Sequence, residues 1–166
     1  RCANMARFSD RLAGSPFAVA FNPVNTFRHL HSPRAAAEHL REIARVLVPG
    51  GLYLVGMSFS RYGGEEASED VWTAQRGDIA VRQIVQYLPP DPDERMETVI
   101  SHLQVDGPTG REYLDASYRL RSYDLGQWKG LVRRSPLRRV GALDDLGNVV
   151  TDDVETSYQV EVLRRD

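Results

Sequence analysis

The stretch SPRAAAEHLREIARVLVPGGLYLVGMSF, residues 32–59, decides the fold class. Ser32 is a good helix N-cap, because its hydroxyl can accept from an otherwise unpaired backbone N–H, and Pro33 suits the first helical position. Leu40, Ile43, Ala44 and Leu47 recur at helical spacing and form one apolar stripe. Pro49 is expected to stop the helix, and Gly50 and Gly51 to allow the reversal after it. Leu52 to Phe59 is then almost continuously apolar, the pattern of a strand buried on both faces. Helix, tight turn and buried strand make half of a parallel α/β unit.

Downstream the character changes. Ser60 to Asp70 is polar, acidic and glycine-containing, and reads as an exposed loop. Four β-rich segments follow: Val71–Gln75, Ile79–Leu88, Glu97–Val105 and Arg111–Tyr123. Arg76-Gly77-Asp78 is a hairpin signal, Leu88 to Asp93 breaks the second segment at two prolines, and Asp106 to Gly110 makes a further turn. These segments predict a small antiparallel sheet. Asp124 then caps a helix carrying Leu125, Trp128, Leu131 and Val132 on one face, which Ser135-Pro136 ends. Arg138–Leu143 and Ser157–Leu163 read as two final strands.

Composition narrows the function classes. The 166 residues suffice for a sizeable core, and a net charge of −2 makes no electrostatic case for nucleic acid or an anionic membrane. No apolar run approaches the ~20 residues of a membrane span. Cys2 is the single cysteine, so no internal disulfide can form, which fits a reducing cytosol and a cytoplasmic protein.

Three segments carry a resemblance. Arg45 to Met57, RVLVPGGLYLVGM, resembles the segment joining the fourth helix to the fifth strand in class I S-adenosylmethionine-dependent methyltransferases. Phe17 to Leu30, FAVAFNPVNTFRHL, resembles that family's fourth strand and the loop after it. Asn4 to Phe8 resembles the Asp-Met-x-x-Phe segment before that strand. The order and spacing of the three also match. The family's glycine-rich first loop and the acidic residue ending its second strand have no counterpart here. The resemblance therefore implies an α/β fold built on a partial Rossmann-like methyltransferase sheet with an inserted antiparallel β-sheet. Residues 1–60 and 122–166 would form the C-terminal part of the core, and residues 61–121 the insertion or lid. The chain reads as the C-terminal portion of a longer enzyme that methylates a small molecule. A non-catalytic remnant, or an interaction module with an incomplete cofactor site, is the alternative. The insertion often contributes to dimerisation in similar enzymes, so a homodimer through it is implied as well.

Candidate site residues belong to the carboxyl edge of the core strands, where open α/β sheets bind ligands. The resemblance implies S-adenosylmethionine as cofactor. It assigns Asn4 and Met5 to the adenine end, and Asn22 and Pro23 to the loop lining the cofactor. Asn25 and His29 are the candidates for orienting or deprotonating the methyl acceptor, since histidine titrates near neutrality. The competing account of Asn22, Asn25 and Thr26 is local turn chemistry. Phe21 and Phe27 are expected in the core. Arg28, Arg61, Tyr62 and Trp72 are weaker substrate candidates. His29 and His31 have no further ligand to complete a metal site, so no metal is expected.

Overall fold

The computed structural model describes residues 2–12, 16–151 and 158–166. Its chain divides into two compact units, Arg1–Ser60 with Arg121–Asp166, and Arg61–Leu120.

The first unit is an α/β layer. Strand β1 (Phe17–Asn22) leads through a short 3-10 turn (Thr26–His29) into helix α1 (Pro33–Val46), which returns as strand β2 (Leu47–Ser58). The Ser32 hydroxyl accepts from the Ala35 N–H at 3.1 Å, so the predicted cap forms. The helix ends earlier than predicted. Leu47 is already extended, with φ −79° and ψ 147°. Pro49 therefore lies inside β2 rather than at the helix end; a proline disfavours helical backbone in the residue before it, here Val48. The expected reversal at Gly50 and Gly51 does not occur: both lie inside β2, and Gly50, whose φ of +79° suits glycine, sits in the irregularity between the Phe17–Leu47 and Val19–Leu52 pairs. Strands β1 and β2 pair in parallel, with Ala20 opposite Tyr53 and Asn22 opposite Val55.

Helix α2 (Leu125–Arg133) follows, with Asp124 accepting from Gln127 N–H and the Gln127 side chain accepting from Asp124 N–H. Strands β7 (Leu137–Leu143) and β8 (Tyr158–Arg165) complete the layer. The sheet order is β1-β2-β8-β7, with β8 antiparallel to both neighbours. Ser157, expected to open the last strand, lies outside the described residues.

Both helices bury their stripes in one core. Leu40, Ile43 and Ala44 of α1 and Trp128, Leu131 and Val132 of α2 pack with Phe27, Leu30, Tyr53, Val55, Met57, Tyr123 and Leu163. Trp128 is fully buried, meets Phe27 and Tyr123 edge-on, and donates its indole N–H to Glu161 at 2.8 Å. Glu161 is itself fully buried and is gripped by Arg139 through two bonds of 2.6 and 3.0 Å. Buried charge of this kind is tolerable only when every oxygen is satisfied. Burial along β2 is one-sided. Tyr53, Val55 and Met57 are enclosed, whereas Leu52 and Leu54 are half-buried. β1 is an end strand, and Phe17, Val19 and Phe21 along one of its faces are exposed, Phe21 to 76%. That corrects the expectation for Phe21; Phe27 is in the core as expected.

The second unit is a β-meander: β3 (Ser68–Arg76), β4 (Ile79–Asp91), β5 (Met96–Gly107) and β6 (Gly110–Arg121), adjacent in that order. β4 is antiparallel to β3 and to β5. The prolines after Leu88 do not end β4 as predicted. They produce an irregularity, after which Asp91 pairs again with Met96, since proline removes one ladder donor but can sit at a bulge. Val85, Val99 and Leu120, with Tyr87 against them, are the buried cluster of this unit.

Candidate functional site

The parallel pairing of β1 and β2 brings their carboxyl ends to one sheet edge, the place where such sheets bind ligands. Beyond Asn22 the chain turns through Val24 and Asn25, both in the left-handed region at φ 56° and 58°. For a β-branched residue that conformation is strained, at a cost of about 1–3 kcal/mol. Several contacts impose it. The Asn25 N–H donates to Gly56 O at 3.2 Å, and the Val24 N–H to the Tyr158 hydroxyl at 3.3 Å. Both ends of the Asn25 amide are engaged: Nδ2 donates to Ser58 Oγ at 2.9 Å, and Oδ1 accepts from the Ser58 N–H at 2.6 Å. The loop after β1 is thus clamped to the end of β2. Gly56 makes the clamp possible, because a Cβ there would lie 2.1 Å from the Tyr158 hydroxyl and 2.9 Å from Val24 N.

The rest of the loop follows from this anchor. Pro23 and Thr26 close a turn through the Thr26 hydroxyl, which donates to Pro23 O at 2.9 Å. Phe27 enters the core, and His29 is exposed at the end of the 3-10 turn. Arg28, a substrate candidate by sequence, is 96% enclosed and donates to Arg121 O at 2.9 Å. Its guanidinium joins the loop to the chain before α2.

A second element reaches the same edge from the N-terminal side. Asn4 accepts from Ala6 N–H through Oδ1 and from Arg7 N–H through its carbonyl, closing a turn. Glu42 on α1 accepts from the Phe8 and Ser9 N–H groups at 2.7 Å each and pairs with Arg45. Burial works against ionisation of Glu42. The N–H groups of Ser9 and Phe8, helped by Arg45, outweigh it and hold the carboxyl at about 2. His39 approaches Met5 O at 2.7 Å through Nδ1 and the Tyr53 hydroxyl at 2.8 Å through Nε2. Burial pushes His39 below its ordinary value, against the Met5 carbonyl and Glu42, and pushes the Tyr53 phenol up. Asn22 Nδ2 lies 3.5 Å from Met5 Sδ. Of the residues singled out by sequence, Met5 and Asn22 therefore meet, with Asn4 adjacent in the chain. Asn25 is beside Ser58, and His29 is exposed.

Ser58, Gly56, Tyr158, His39, Tyr53 and Glu42 were not singled out as site residues. Tyr158 is 134 positions from Val24, so no local pattern could pair them. Glu42 did leave a signal, as an acid set between Leu40 and Ile43 of the apolar stripe. Among the described residues, no group of three His, Cys, Asp or Glu is placed to hold a metal, and no helix is long and apolar enough to cross a membrane.

Neither a protein-family model nor a curated protein sequence matches the chain. Solved structures do. The chain superposes on CalS10, an amino pentose methyltransferase from Micromonospora echinaspora, with a TM-score of 0.75 at 11% identity, over 99% of this chain and 63% of that one. An S-adenosylmethionine-dependent methyltransferase from Clostridium acetobutylicum gives 0.77 at 9% identity, over 99% and 63%. The sugar N-methyltransferase KedS8 from Streptoalloteichus gives 0.72 at 16%, over 99% and 61%. The chain thus spans less than two thirds of the length of these proteins. Strand order, the antiparallel last strand and these superpositions together give the chain the fold of class I S-adenosylmethionine-dependent methyltransferases.

Proposed function

We propose that this chain is the C-terminal part of an S-adenosylmethionine-dependent methyltransferase acting on a small molecule. The α/β unit would be the remaining part of its Rossmann-like core and residues 61–121 an inserted antiparallel sheet that serves in dimerisation. The observation that carries the reading is a superposition spanning nearly the whole chain, both units included, on small-molecule methyltransferases. Asn22 tests the fit of the cofactor. Its Oδ1 is a buried acceptor with no hydrogen-bond partner among the described residues, and such an atom calls for a donor. It lies at the carboxyl end of β1, beside Met5, where the resemblance puts the cofactor.

When bound, the cofactor supplies a methyl group on a sulfonium, already a good leaving group. The chain's own contribution is then chiefly orientation. Asn4 and Met5 would border the adenine end. Asn22 and Pro23 would line the cofactor from the loop. Asn25 spends its amide on Ser58 and would act by fixing that loop, while exposed His29 would be the group that takes a proton from the acceptor. An imidazole in this role suits an amine or hydroxyl acceptor, and the sugar N-methyltransferases among the similar structures favour an amine.

Isothermal calorimetry with S-adenosylhomocysteine tests the reading. The 166-residue chain should bind very weakly, because the resemblance leaves it without the glycine-rich loop and ribose-binding acid. The full-length protein should bind at micromolar concentration and methylate an amino sugar. Failure of the full-length protein to bind would leave the non-catalytic alternative.

A further inference from the structure

His39, Tyr53 and Asn22 are buried or half-buried polar groups in an otherwise apolar and aromatic setting. Phe8 lies tilted against the His39 ring and Phe27 meets it edge-on. Their hydrogen bonds have a forced direction. Met5 O is a carbonyl and can only accept, so His39 Nδ1 must carry the proton. In the neutral ring Nε2 is then bare and must accept, so the Tyr53 hydroxyl donates to it. The Tyr53 oxygen is left with lone pairs, and the Asn22 side chain lies near it as a source of a proton, acting to lower the phenol against its burial. Only the Nδ2 end of the amide can supply that proton, which agrees with Nδ2 also facing Met5 Sδ at 3.5 Å. The amide cannot turn over without opposing two acceptors. Its oxygen is therefore directed away from the chain of bonds, and that oxygen is the buried atom without a partner.

We propose that Met5, His39, Tyr53 and Asn22 form a one-way hydrogen-bond relay that locks the Asn22 amide with its oxygen offered to an N–H or O–H donor of the bound cofactor. His39 and Tyr53 are then positioning residues: neither touches the cofactor, yet both set the face that Asn22 shows it. The relay also ties the Met5 backbone, on one side of that site, to the end of β1 on the other. Two pieces of chain distant in sequence thereby acquire one fixed geometry. This inference rests on the cofactor reading above.

Binding to the full-length protein separates the two. Calorimetry uses S-adenosylhomocysteine and 5′-methylthioadenosine, which lacks the amino-acid end. Tyr53→Phe keeps the ring and removes the hydroxyl, and should weaken S-adenosylhomocysteine at least tenfold while saturating turnover stays within about twofold. Equal weakening of both compounds assigns the donor to the nucleoside; weakening of S-adenosylhomocysteine alone assigns it to the amino group. His39→Gln, whose amide can donate to Met5 O and accept from Tyr53, should retain affinity that His39→Leu loses, and a shared fall in melting temperature would not reproduce that contrast. Unaltered affinity of Tyr53→Phe for both compounds overturns the relay but leaves the cofactor reading intact. A wild-type protein that binds neither compound overturns both. Ring nitrogen shifts of His39 add a readout independent of binding: the Nδ1–H form is expected, and the Nε2–H form contradicts the forced direction.

Discussion

The two units solve the problem of stability differently. The α/β unit encloses aromatic rings, a buried ion pair and the stripes of two helices in one core. The meander has longer strands but encloses only Val85, Pro90, Val99 and Leu120, and every residue of β3 is exposed. Backbone pairing is extensive in both, so the difference lies in side-chain burial. Hydrophobic burial is the dominant favourable term in folding, and hydrogen-bonded sheet alone contributes little net free energy per bond. The α/β unit should therefore carry most of the stability, and the meander should open more readily.

Substitution of the largest fully buried side chain in each unit puts that contrast to its strongest test. Trp128→Ala should cost about 3–5 kcal/mol, partly because Glu161 also loses a donor. Val99→Ala should cost about 2 kcal/mol by removal of buried methyl groups. Chemical denaturation of the two variants gives the comparison, and equal losses would break it. Arg139→Ala addresses the ion pair instead. It leaves Glu161 buried without its cation, for which about 3 kcal/mol or more is expected. A melting curve like that of the wild type would mean that solvent reaches Glu161.

The next effect is pH-dependent and confined to the α/β unit. Glu42 has a folded-state value of about 2 against an ordinary 4.5. A depressed carboxylate contributes stability that is fully present above pH 4.5 and is lost as pH falls from 4.5 towards 2. The contribution is roughly 2–3 kcal/mol, and Glu42→Gln should remove that acid-sensitive step from the stability profile. An unchanged acid limb in Glu42→Gln would show that other groups set it. The smallest effect expected is a gain. Val24→Gly relieves the left-handed strain and should stabilise the chain by about 1 kcal/mol in urea denaturation. A loss would mean that the clamp tolerates valine without strain.

How much of this was legible in the sequence depended on range. The Ser32 cap, the α1 stripe, the Asp124 cap and the four meander strands are local patterns, written within a few turns or hairpins of chain. The ends of α1 and β4 were misplaced because proline was read as a terminator. In the first case the chain is already extended at Leu47, two residues before the proline, and in the second the prolines sit in an irregularity of a strand that continues. At the site, Asn22 and Met5 were identified through family resemblance, but the partners that hold them were not. The Glu42 contacts to Phe8 and Ser9, the His39 bridge and the Tyr158 clamp all join residues distant in the chain, and no periodicity encodes them. Arg28, a substrate candidate by sequence, is instead bound to a backbone carbonyl 93 positions away.

Gly56 and Tyr158 also have a bearing on how this sequence can vary. The phenol occupies the space that any side chain at position 56 would need. It also contributes one of the bonds that holds the strained loop, so it cannot be trimmed without releasing Val24. A change at either position alone is therefore disfavoured, and the two are free to drift only as a pair. In an alignment of proteins that share this clamp, positions 56 and 158 should covary, with anything larger than glycine at the first accompanied by a short residue at the second. Such a pairing would be a record, kept in sequences alone, of a contact made across two neighbouring antiparallel strands.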